Sequence, residues 1–165
     1  MHTDILLRTA FACMACDGEI SPDEVKTIRS MATDDSLFGD IDIDASLAML
    51  TDEINRQGKA FLQYYLQQLG ASELSREEEL EVCRIAVRTI QADAEVRYSE
   101  VKFFKVLRQC LHVVTDDEIL AACPTIDDFY LAQDVRADFV TMLNDYFSAV
   151  ELPQFDLNAV KSEEQ

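Results

Sequence analysis

Six carboxylates carry the chemistry that this chain offers. Asp17, Glu19 and Glu24 fall in Ala15-Cys16-Asp17-Gly18-Glu19-Ile20-Ser21-Pro22-Asp23-Glu24-Val25-Lys26. Asp93, Glu95 and Glu100 hold the same places, 76 positions later, in Gln91-Ala92-Asp93-Ala94-Glu95-Val96-Arg97-Tyr98-Ser99-Glu100-Val101-Lys102. Five of the twelve positions are identical, and Ile20/Val96 is conservative. Carboxylate oxygens of this kind are hard ligands for calcium or magnesium. Gathered in one place they repel one another, and a cation offsets that repulsion. A structural role is open as well. Asp17 and Asp93 each follow an apolar helix, where a negative charge opposes the helix dipole by up to about 1 kcal/mol. Accepting the next backbone N–H groups in an Asx-turn compensates such an Asp. The two roles are compatible.

Other chemistries fit less well. With Gly18 at the sixth position of an EF-hand loop, Glu24 takes the twelfth and Asp17 the fifth. Positions one and three are then Cys13 and Ala15, which are not oxygen ligands, and the second copy has Ala94 for the glycine. That excludes an EF-hand. Cys13-Met14-Ala15-Cys16 is a C-x-x-C, but a zinc site needs a second pair and Cys83, Cys110 and Cys123 stand apart. Burial in the core is the expectation for both thiols. His2 and His112 are isolated, and no Ser/His/Asp grouping or phosphate loop occurs. The expectation is a protein that is not an enzyme and has no catalytic residue.

Helices must position the six carboxylates. Leu6, Ala10, Cys13 and Met14 give an apolar stripe to a helix over 4–16. Gly18 permits a sharp turn. Three S/T-x-x-E capping boxes, at Ser21–Glu24, Ser75–Glu78 and Thr115–Glu118, mark helix starts. Further helices are predicted over 45–57 with Asp44 as cap, 58–70, from Ser75 to Ala92, and from Tyr98 to Leu111. The helix ending at Ala92 has a wide apolar face and is predicted central. Phe38, in the linker over 33–44, is predicted to tuck into the core. The Asp40/Asp42/Asp44 alternation there is read as neither a strand nor a calcium loop. A last helical segment over 126–149 carries Phe129, Val135, Tyr146 and Phe147. The fold class is therefore all-α: a single-domain bundle of about seven to eight helices containing two pseudo-repeated helical hairpins. The domain spans 1–155, and 156–165 form a loose polar tail.

An Ala-rich apolar helix running into Ala-x-Asp-Gly-Glu-Ile-Ser-Pro-x-Glu resembles the signature of the TerB-like family. That family is named for tellurite resistance and also occurs as a domain of membrane-bound DnaJ-like co-chaperones. The first turn carries the resemblance; the second keeps the acidic positions but has Ala94 for Gly and Tyr98 for Pro. The resemblance covers about 3–150 in pattern. It implies an all-helical fold with a clustered acidic surface that binds divalent cations.

Composition sets limits on partners. The formal net charge is −18 over 165 residues. Such a field repels nucleic-acid phosphates and anionic membranes and favours cations or basic partners, while also promoting solubility. The start of the chain reads as no signal peptide, and no apolar run is long enough to span a bilayer. Five cysteines, an odd number, argue against a full disulfide framework and for a reducing, cytoplasmic setting. The expectation is a stress-response protein that presents an acidic, cation-binding face to a protein partner. The alternative is an interaction module with an apolar groove between its hairpins, in which the turns are structural and Phe103, Tyr130 or Tyr146 stands exposed.

Overall fold

The computed structural model describes residues 3–92, 96–126, 130–131 and 139–155. Among them are eight helices and no strand: α1 Thr3–Ala15, α2 Pro22–Thr33, α3 Ile43–Gln57, α4 Lys59–Ala71, α5 Arg76–Ile90, α6 Tyr98–Gln109, α7 Asp116–Ala122 and α8 Phe139–Ala149. The fold is an all-α, single-domain bundle. Phe129, Val135 and the tail 156–165 lie outside the described residues.

The capping signals set these boundaries. The hydroxyls of Ser21, Ser75 and Thr115 each accept the N–H of Glu24, Glu78 and Glu118 at 3.2 Å. Each glutamate in turn accepts the N–H of its cap at 3.1 Å. A cap of this kind stabilises its helix by about 1 kcal/mol. The cap of α3 corrects an expectation. Asp42, not Asp44, accepts the Ala45 N–H, at 3.2 Å. The helix starts at Ile43, so Asp44 falls inside its first turn and pairs with Arg29 at 3.1 Å.

The centre of the bundle is the pair α1 and α5, which pack more closely than any other two helices. From Ala10 onward helix α1 is buried on every face, beyond the stripe of Leu6, Ala10, Cys13 and Met14 that its periodicity suggested. Every residue from Ala10 to Cys16 is 0% exposed. A helix apolar on all faces belongs inside a bundle, and the small Ala10, Ala12 and Ala15 let neighbours approach it. Helix α2 leans on both α1 and α5, and α6 likewise leans on both. This packing brings the turn after α1 near the start of α6, where Arg97 reaches Glu19. Helices α3 and α4 cover α1, α7 covers α5, and α8 lies on α6.

Phe38 is buried, as expected. Phe103, Tyr130 and Tyr146 are buried too, at 0%, 9% and 1% exposure. No apolar groove opens at these three rings. Phe103 instead sits between Tyr65 and Tyr146, with ring centroids 6.4 and 5.1 Å away. No described helix is long and apolar enough to cross a membrane.

Glu79 holds the corner between α6 and α7. Although only 2% exposed, it accepts the backbone N–H groups of His112, Val113 and Val114 at 2.8, 2.8 and 3.1 Å. These three bonds replace the water that the carboxylate gave up on burial.

Candidate functional site

The first acidic turn is built by three parts of the chain. Helix α1 ends at Ala15, whose carbonyl accepts the Gly18 N–H at 3.0 Å. Gly18 has φ +84°, in the left-handed region, and a Cβ there would stand 2.4 Å from the Glu151 carbonyl oxygen. Only glycine satisfies both demands. The Tyr146 hydroxyl, from α8, donates to the Cys16 carbonyl at 2.5 Å. That bond satisfies one carbonyl left over at the end of α1.

Asp17 forms the expected Asx-turn, its Oδ1 accepting the Glu19 N–H at 3.0 Å. Its side chain is only 7% exposed. Burial raises the Asp17 carboxyl above its ordinary range; the Glu19 N–H and the Arg97 guanidinium pull it partly back. Arg97 arrives from the second turn. Its Nη2 lies 2.7 Å from Glu19 Oε2 and its Nε 3.7 Å from Asp17 Oδ2.

Glu24 is the unusual member. It is 2% exposed. Its Oε1 accepts the Ser21 N–H as part of the capping box. Its Oε2 is buried with no hydrogen-bond partner among the described residues. Burial pushes the carboxyl up to about 9, and the charges of Asp17 and Glu100 push the same way, against the Ser21 N–H. Glu100 mirrors Glu24 at the start of α6: it is also 2% exposed, and its Oε1 accepts the Arg97 N–H at 2.9 Å.

Four of the six predicted carboxylates, Asp17, Glu19, Glu24 and Glu100, are therefore placed. Glu19 is 63% exposed, in contrast to the buried Glu24 and Glu100 and the half-buried Asp17. Asp93 and Glu95 lie outside the described residues. The capping role is present at Asp17, Glu24 and Glu100. As to a cation, hard oxygens are the right donors for calcium or magnesium, and the orphaned Glu24 oxygen is a buried lone-pair site that a cation would satisfy. Among the described residues, however, no three His, Cys, Asp or Glu side chains converge on one metal position. The Arg97 guanidinium already stands against Asp17 and Glu19. Reasoning from sequence missed Arg97. The signal was the mismatch of Arg97 with Ser21 in the repeat, where a cap is replaced by a cation.

Cys13 and Cys16 are fully buried beside this cluster. Cys16 Sγ donates to the Cys13 carbonyl at 3.1 Å. Burial, and then the nearby Glu100 and Glu24, hold the Cys13 thiol well above its usual range. Burial and the Cys13 charge do the same to Cys16. Thiols in that state are poor nucleophiles and poor metal ligands. All five cysteines are free and buried. No protein-family model, curated protein or solved structure matches the chain. The resemblance to TerB-like proteins therefore rests on the two turns alone.

Proposed function

We propose that this is a non-enzymatic binding protein whose two acidic turns together take up a divalent cation, calcium or magnesium. The observation that carries the reading is Glu24 Oε2: a carboxyl oxygen, buried and without a hydrogen-bond partner among the described residues, set beside the charges of Asp17 and Glu100. A group of this kind is expensive to bury without a partner. Packing alone gives no reason to put one at the acidic end of a hairpin. Asp17, Glu19 and Glu24, with Asp93, Glu95 and Glu100 from the second turn, would hold the ion, which would neutralise their repulsion and lock the two hairpins together.

The acidic face would then serve a protein partner in a stress response of the tellurite-resistance type, a role that follows from the TerB-like motif. The net charge of −18 favours a basic partner and disfavours nucleic acid. Free, buried thiols are in keeping with a cytoplasmic protein that is not a redox enzyme. The apolar-groove alternative gains nothing from Phe103, Tyr130 and Tyr146, which are buried.

Isothermal titration with calcium and with magnesium tests the reading. The wild-type chain binds one ion, and Asp17→Asn and Asp93→Asn each weaken that binding while helical content is kept. Unchanged binding in both folded variants would refute the site.

A further inference from the structure

We propose a second site, a cavity at the end of α6 that takes a small uncharged molecule with an apolar body and an amide-like polar edge. Glu100 stands in the first turn of α6; the cavity lies at the other end of that helix and does not depend on the cation reading.

The cavity measures about 560 Å³, within the range of about 300–1,000 Å³ usual for small-molecule sites. Leu66 of α4, Cys110 after α6 and Leu143 of α8 give it apolar walls. Gln63 and Gln67 of α4 and Gln109 of α6 add three carboxamides. Among the described residues none of the three has a hydrogen-bond partner, so each keeps donors and an acceptor for a ligand.

Charge is the first observation that sets the ligand class. The described lining holds no Asp, Glu, Lys or Arg, in a chain with 32 acidic and 14 basic residues. Two other hollows, of about 420 and 440 Å³, both take in Arg84 and Arg88. An ion entering the α6 cavity would shed water and meet no opposite charge. The field of the whole chain draws in cations and repels anions, so a preference for an uncharged molecule has to come from the cavity itself.

Gly70 is the second observation. It lies inside α4, where glycine is a poor helix former. Its backbone is not in the left-handed region, and a Cβ there would meet nothing within 4 Å. Neither backbone nor packing asks for glycine. What the missing side chain leaves is room in the cavity that Gly70 lines.

His112, also in the lining, is the third. Its ring Nε2 lies 2.7 Å from the Gly70 carbonyl oxygen. A carbonyl only accepts, so Nε2 is the donor, and Nδ1 of the neutral ring is left as an acceptor. The His112 backbone N–H donates to Glu79 at 2.8 Å. Held at ring and backbone, the imidazole is in place before a ligand arrives, which lowers the ordering cost of binding. The polar groups are thus set to exchange hydrogen bonds with an amide edge, while the apolar body of the ligand lies against Leu66, Cys110 and Leu143.

The test follows the His112 ring protons by NMR in the full chain, with chelator present, as three probes of like shape are added: benzamide, benzoate and benzamidine. Benzamide is expected to shift these signals with a dissociation constant of about 10 mM or lower, the range for so small a probe. Benzoate and benzamidine are expected to bind at least about tenfold more weakly. Gly70→Leu fills the room and is expected to weaken benzamide at least about tenfold, with the circular dichroism spectrum kept. Gln67→Leu, at an exposed position of the lining, is the occluding variant if Gly70→Leu does not fold. Equal binding of the three probes overturns the proposal, as does benzamide binding that survives the occluding variant. No shift of the His112 signals up to about 50 mM benzamide, several times the expected constant, overturns it as well.

Discussion

Two buried glutamates, Glu79 and Glu24, show what separates a structural charge from one kept for another purpose. Both are 2% exposed. Both sit in the first turn of a helix, α5 and α2, opened by a serine capping box. Glu79 spends both oxygens on three backbone N–H groups at the α6–α7 corner. Glu24 uses one oxygen on its cap and leaves the other without a partner. Burial raises the Glu24 carboxyl to about 9. A carboxylate with three donors has its desolvation compensated; one beside two more carboxylates has not. Packing explains Glu79 fully and Glu24 only in part.

The largest effect expected on that comparison is at Glu79. Glu79→Gln sets an amide NH₂ against the corner's N–H groups and should cost about 3 kcal/mol, since charge-assisted bonds are lost and a buried donor is left unpaired. Chemical denaturation measures it; a loss under about 1 kcal/mol would show that the corner does not need the charge. Gly18→Ala comes next. It meets both the positive φ and the Glu151 carbonyl, and a loss of about 2 kcal/mol or more is expected from backbone strain. Tyr146→Phe removes only the bond to the Cys16 carbonyl, for about 1 kcal/mol, read as a small fall in melting temperature.

The smallest change in stability is expected from Glu24→Gln below about pH 4.5, where the carboxyl carries its proton in the folded and the unfolded state alike. Its signature lies in the pH dependence. The folded group keeps its proton to about 9 against an ordinary value of 4.5. Between those values the native state binds more protons than the unfolded state. Glu24's contribution is therefore complete below the lower value and is lost as pH rises through the upper one. Melts from pH 5 to pH 9 should fall more steeply for wild type than for Glu24→Gln. Parallel slopes would mean that Glu24 is not the group responsible.

Much of the fold was legible because its signals are local. The three capping boxes each lie within four residues, and all three form as expected. The two turns were found because they repeat. What was not legible depends on distant chain. Glu79 meets its donors more than thirty residues on. Tyr146 meets Cys16 across 130 positions, and Glu151 closes over Gly18 from equally far away. Helix α1 was read as striped from the helical spacing of Leu6, Ala10, Cys13 and Met14, which leaves Thr9 off the stripe. In the fold Thr9 is buried and bonded to the Ile5 carbonyl and the Tyr65 hydroxyl, at 2.7 Å each. At the site, the carboxylates were named from their spacing, but the cation among them was not. The mismatch of Arg97 with Ser21 in the repeat marks the position but does not say at which carboxylates Arg97 points.

The most direct test of the cation site is a thermal melt at pH 7 of wild type and Glu24→Gln, with excess calcium and with chelator. An ion present at a hundredfold over its dissociation constant adds about 2.7 kcal/mol to the folded state. The account predicts that calcium raises the wild-type melting temperature by several degrees and leaves that of Glu24→Gln where chelator puts it. Equal curves for wild type with and without calcium, or an equal rise in both proteins, would contradict it.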